Sequence, residues 1–245
     1  MNRRLIASLI LPALSLPAAA ATFEFTGTAR ADNGDTLYQE IHAVDGTCEQ
    51  GTFEPRSHSV EYRKPAADEP FATKTLEYPN SALRPVVTFV QPDFNERMEI
   101  RYPSTGELTI DWQTPSGDTE SFEVPLEENL VVDAGFDHFV RQNWKAVQAG
   151  ESVEFRFLGP TRGEHYGFVL EPASSDRIDA DNVVQIRPTS LVLRMLVDPI
   201  MLGYNDRGAL TDYLGLTNIR RNADENYTAH IQYQVDQYPD CELTP

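Results

Sequence analysis

Tyr227-Thr-Ala-His-Ile-Gln-Tyr-Gln-Val235 is the stretch whose reading decides the fold. Tyr227, Ala229, Ile231, Tyr233 and Val235 take every second place, and Thr228, His230, Gln232 and Gln234 fill the places between. Successive side chains of an extended chain point to opposite faces, so this segment reads as a strand with one dry and one wet face. The pattern recurs upstream. Phe23, Phe25, Gly27 and Ala29 alternate with polar residues, as do Met98, Ile100 and Tyr102, then Leu108, Ile110 and Trp112. Phe122 and Val124, and Val153, Phe155 and Phe157, continue it. One dry face per strand belongs to antiparallel sheet, because parallel βαβ strands are dry on both faces.

Turn chemistry separates the runs. Asp32-Asn33-Gly34-Asp35 carries the Asn-Gly signal of a tight hairpin. Pro103 to Gly106, Pro115 to Asp118, Pro160 to Gly163 and Asn205 to Gly208 are further turn clusters. Strands joined this briefly form a meander of about a dozen members. Only Ala134 to Ala149 breaks the period. Phe136, Phe139, Val140, Trp144 and Val147 recur there at three- and four-residue steps, which predicts one amphipathic helix. Asp133 is its expected N-cap and Gly150 its left-handed stop. Ser190 to Val197 has no clean period and fits either a buried strand or a short helix. The expected fold is mainly β: one large curved antiparallel sheet, an incomplete barrel, packed on that helix.

The first residues carry an address. Met1-Asn2-Arg3-Arg4 is basic, Leu5 to Leu16 is apolar, and Ala18 to Ala21 supplies small residues for cleavage. Residues 1–20 read as a secretory signal peptide, its apolar run too short to span a bilayer. Residues 21–245 then form a single β-rich domain, expected in a bacterial periplasm. No Cys lies at the cleavage point, which argues against a lipid anchor. No later apolar stretch approaches membrane length.

The chain has 20 Lys and Arg against 38 Asp and Glu, a formal net charge of −18. Such a surface repels phosphate backbones and anionic lipid, so nucleic acid is not an expected partner. Cys48 and Cys241 are the two cysteines. An oxidising compartment favours a bridge between them. Neither has a metal-ligand neighbour at the usual spacing.

No catalytic or cofactor motif stands out, and no cofactor is expected. The histidines at 42, 58, 138, 165 and 230 form no His-Glu-x-x-His, and His42 and His230 read as solvated strand residues. Asp137 and His138, adjacent on a helix, point about 100° apart and make no orienting pair. Glu164-His165-Tyr166 follows a turn and offers acid/base groups, or a plain hairpin rim. Asp176, Asp179, Asp181 and Asn182 make an oxygen-rich loop, without the order of an EF-hand. Trp144 on the helix, with Phe155, Phe157, Tyr166 and Phe168 on the strands after it, is the candidate ligand-binding face. These aromatics form core if the sheet closes over the helix, and an apolar groove if it does not.

At Asp133-Ala-Gly-Phe-Asp-His-Phe-Val-Arg-Gln-Asn-Trp144 and Tyr213-Leu-Gly-Leu-Thr-Asn-Ile219, the chain resembles uncharacterised exported β-rich proteins of proteobacteria. Asp198-Pro199, Tyr204-Asn205-Asp206 and the final strand Tyr227 to Val235 are similar to their C-terminal meander. The resemblance transfers no site residues. The layout is also similar to the lipoprotein-carrier (LolA-like) fold, an open barrel around helical cover, with one clear helix here in place of several. The expected role is non-enzymatic: binding a hydrophobic ligand or lipid in a concave aromatic face. The alternatives are an envelope protein-interaction module and a carboxylate-dependent hydrolase.

Overall fold

Alternating burial is the main product of this sequence. In the computed structural model, which describes residues 20–245, the segment Asn226–Gln237 is a strand with Ala229 and Ile231 buried. Among the described residues fifteen strands make one sheet: β1 (Ala20–Arg30), β2 (Thr36–Glu49), β3 (Thr52–Arg63), β4 (Ala72–Glu77), β5 (Val86–Gln91), β6 (Glu96–Arg101), β7 (Glu107–Gln113), β8 (Thr119–Pro125), β9 (Leu130–Val131), β10 (Val153–Gly159), β11 (Glu164–Pro172), β12 (Asn182–Pro188), β13 (Ile200–Tyr204), β14 (Leu210–Arg220) and β15 (Asn226–Gln237). Their order runs from β8 back to β1, then β15 back to β9. Every pairing is antiparallel except β9 with β10. The strands exceed the expected dozen because β4, β5, β9 and β13 are short, and alternation over so few residues leaves little periodic signal. The expected signal peptide lies outside the described residues, apart from Ala20.

The sheet does not close, because its edges β8 and β9 share no ladder. It curls past itself instead. Phe155 and Phe157 face the concave side of β10, and Leu158, the residue after Phe157, faces away. Leu158 enters the core that holds Leu108, Ile110 and Val124 of β7 and β8, so the β10 end tucks inside the β8 end. Gly163, at the β10–β11 turn, makes that approach feasible. Its φ is +61°, and a Cβ there would lie 2.3 Å from the Phe122 ring of β8.

The predicted single helix is two: α1 (Gly135–Gln142) and α2 (Trp144–Ala149). Asn143 divides them. Its Nδ2 donates to the Phe139 carbonyl at 2.8 Å, and its φ of −101° leaves helical space. Gly150 ends α2 at φ +72°, as expected. Asp133 is not the N-cap; Ala134 takes that place, with no side-chain cap. The Asp133 carboxylate is claimed by Lys74, whose Nζ lies 2.8 Å from both oxygens. Lys74 is buried, and a buried ammonium needs a partner more than a helix end needs a cap. Ser190 to Val197 is no buried strand: it holds the one-turn helix α3 (Leu191–Arg194).

Each hairpin reverses the chain, so connections alternate between the two ends of the sheet. Turns 31–35, 64–71, 92–95, 114–118, 160–163, 189–199 and 221–225 share one end. The other end is plugged. There α1 places Arg141 against the Gly208 carbonyl at 2.9 Å and His138 against the Tyr78 ring. Cys48 and Cys241 are bonded, with Cα atoms 5.9 Å apart. Beyond the bridge the tail is held: Phe53 N–H donates to the Glu242 carbonyl, and Leu243 is buried.

Candidate functional site

The unplugged end opens in a cleft of about 1250 Å³. Its walls are the tips of the β1–β2, β10–β11 and β14–β15 hairpins, with Trp112 and Glu120 from β7 and β8. Leu37, Trp112, Leu216 and Tyr227 give it apolar surface, and Arg162, Arg220 and Arg221 give it cationic surface. Arg220 is committed, since its guanidinium holds Glu96 at 2.7 and 2.8 Å. Glu96 also accepts the Trp112 indole N–H at 2.9 Å, which fixes the ring in the wall. Arg162 and Arg221 have no ion-pair partner among the described residues. The cleft can therefore meet an amphiphile with both apolar contact and a charge-assisted hydrogen bond.

The five candidate aromatics divide by depth. Phe155 is 1% exposed and Trp144 4%, both locked in the core between the helices and the sheet. Phe139 of α1 packs on Phe155 at 4.5 Å between centroids, and Trp144 meets Tyr204 edge-on. Phe157 and Phe168 lie toward the open end, half-buried, with centroids 5.9 Å apart. Tyr166 is half-buried and donates to Glu164 at 3.0 Å. The helices thus fill the middle of the concave face, and its aromatic lining is accessible only beyond them.

A second cleft of about 330 Å³ lies at the plugged end, between residues 49–55, the C-terminal tail, and His138 and Arg141 of α1. Burial, helped by the Arg141 charge, pushes His138 down to about 3. Asp137 faces elsewhere, as the 100° helical step requires. It takes the Tyr204 hydroxyl at 3.1 Å and Arg141 at 2.7 Å, and burial raises its pKa against the pull of that guanidinium.

Sequence reasoning missed a buried polar line on the inner face of β2 and β3. Tyr233 donates to Glu40 at 2.8 Å, the same carboxylate oxygen lies 3.0 Å from His42 Nε2, and His42 Nδ1 lies 2.9 Å from His58 Nε2. Phe25 stacks on His42 at 4.2 Å. Burial, then the neighbouring His42, holds His58 well below the usual imidazole range. His42 is therefore not a solvated residue, and neither is His230, which holds Asp212 at 2.8 Å. A signal was available: Tyr38, Glu40, His42 and Val44 share one face of β2 with Tyr38 and Val44 buried, so the acid and the imidazole occupy dry positions. With each member hydrogen-bonded, the line is a satisfied structural network.

The other chemical candidates do not assemble. Glu164 is exposed with Tyr166 as its partner, and His165 on the opposite face accepts from Arg156 at 2.9 Å. Asp181 accepts the Asp206 N–H at 2.8 Å. Among the described residues no three His, Cys, Asp or Glu side chains gather as a metal site. No helix of the described residues is long and apolar enough to cross a membrane.

A different surface draws attention at the open end. Leu191, Val192, Met195 and Leu196 of the β12–β13 connection are 75%, 68%, 85% and 76% exposed, and Val197 joins them. Leu216 of β14, also exposed, lies beside the end of this connection, since Leu214 pairs with Met201 and Gly215 abuts Ile200.

No family model matches the chain, and no curated protein matches it. Among solved structures, it is similar to a beta-barrel-like protein of a domain of unknown function, DUF1849, from Brucella abortus. That match has a TM-score of 0.39 and 10% identity over 88% of this chain and 94% of the other. It is also similar to a chain from Vibrio parahaemolyticus named for an outer membrane lipoprotein-sorting domain, with a TM-score of 0.28 and 8% identity over 89% and 83%.

Proposed function

We propose that this is an exported, non-enzymatic envelope protein that binds a lipid or other apolar ligand at the open end of its curled sheet. The carrying observation is the split in the aromatic face: Trp144 and Phe155 form a packed floor, and Phe157 and Phe168 remain half-buried beyond it. The wide cleft at the same end offers an entry, and Arg162 and Arg221 offer contacts for an anionic headgroup. The apolar leader and the long-range disulfide support export.

Trp112 makes a built-in probe, because Trp144, the other tryptophan of the chain, is buried. The test is titration of the purified protein with a fatty acid, read by Trp112 emission in a Trp144→Phe background, with mass spectrometry of a solvent extract. Binding predicts a saturable emission change that Phe157→Ala with Phe168→Ala weakens about tenfold. A clean extract with no emission change sinks the reading. The packed floor also favours a second reading, an envelope protein-interaction module, which predicts a retained protein partner after crosslinking and no lipid.

A further inference from the structure

We propose that the β12–β13 connection is a wedge that inserts into a lipid surface with neutral or zwitterionic headgroups. The observation is independent of ligand binding, so the two readings fail separately. Leu191, Val192, Met195, Leu196 and Val197 are all exposed, on a segment the fold holds in shape. Arg194 Nε donates to the Pro188 carbonyl at 2.8 Å, Val197 N–H to Leu193 at 2.8 Å, and Leu193 itself is half-buried. The wedge stands between the β10–β11 and β14–β15 tips, both of which line the open cleft.

Area and charge choose the occupant. At roughly 100 Å² of apolar surface per side chain, the five cover about 500 Å². That falls short of the about 800 Å² per partner that a stable dimer buries, and two copies with a net charge of −18 repel each other. A groove-binding helix presents anchors over two turns or more; α3 spans four residues. A bilayer asks only for a convex apolar projection. The net charge of −18 opposes an anionic surface at long range, and the two cleft arginines Arg162 and Arg221 do not reverse it, so the attraction is apolar and insensitive to salt.

The test is flotation of the purified chain with phosphatidylcholine vesicles. The native chain is expected to float equally at low and high salt, and less well as phosphatidylglycerol is added. The triple change Leu191→Ser, Met195→Ser, Leu196→Ser alters exposed side chains and is expected to keep the thermal midpoint while losing vesicle binding at least about tenfold. A native chain that stays with the aqueous fraction overturns the proposal. So does a triple variant that floats as before, or a native dimer in sedimentation that the triple change dissolves.

Discussion

His138 and His58 are neutral imidazoles enclosed near Arg141 and Lys74, and this sets a pH dependence. In the unfolded chain a histidine titrates near 6.5. In the fold His138 titrates at about 3 and His58 well below the usual range. Below about pH 6.5 the unfolded chain therefore takes up protons that the native state refuses, and stability falls as pH falls, by about 1.4 kcal/mol per pH unit per histidine. The raised Asp137 acts in the opposite direction, since a native state that holds its proton more tightly gains stability on acidification. Melting curves from pH 7 to pH 5 should show a falling midpoint, flattened by His138→Gln. A pH slope that His138→Gln leaves unchanged would show that this imidazole is not protected. At Gly163 the argument is steric. Gly163→Val puts a branched side chain at φ +61° against the Phe122 ring and should cost more than about 1 kcal/mol, checked by denaturant unfolding.

At the scale of elements, the α1–α2 pair matters most. It buries Phe139, Val140, Trp144 and Val147 against Phe155, Leu170, Val184 and Leu202 of the concave face. Phe139→Ala removes the ring that packs on Phe155 and should lower stability by about 3 to 5 kcal/mol in urea unfolding. A loss below about 1 kcal/mol would mean the helices are loosely held. The helical period of 134 to 149 was legible in the sequence because an apolar stripe survives any local break. The break at Asn143 was not, because a side chain that bonds its own preceding turn leaves the stripe intact. The connection at 190 to 197 holds the short helix, one of its two readings, but the exposure of its apolar residues is not legible. Apolar residues read as buried on energetic grounds, and only the course of the neighbouring hairpins leaves them facing out.

For the whole molecule, the Cys48–Cys241 bridge closes a loop of sequence separation 193 and fastens the last segment to the β2–β3 turn. Loop-closure entropy gives about 5 kcal/mol as an upper figure for a loop this long. Reduction should therefore lower the melting midpoint by many degrees, read by calorimetry with and without reductant. The Cys48→Ser, Cys241→Ser pair should melt where the reduced protein does. An unchanged midpoint would mean that Leu243 and the tail hydrogen bonds hold this end unaided.

Read alone, the sequence determined the class of the molecule. Strict alternation in segments such as Tyr227 to Val235 permits little but a one-sided antiparallel sheet, and a slip by one residue would turn the core outward. Its acidity and its two cysteines were equally plain. Only the tertiary structure decided which dry positions became interior and which became site. The β2–β3 hairpin aligns Glu40, His42 and His58, while the sheet's curl tucks Leu158 inside β8 and leaves Phe157 and Phe168 half-covered at the end where α3 projects. Contacts between distant strands depend on twist and curvature accumulated over fifteen of them, and no local pattern records that sum.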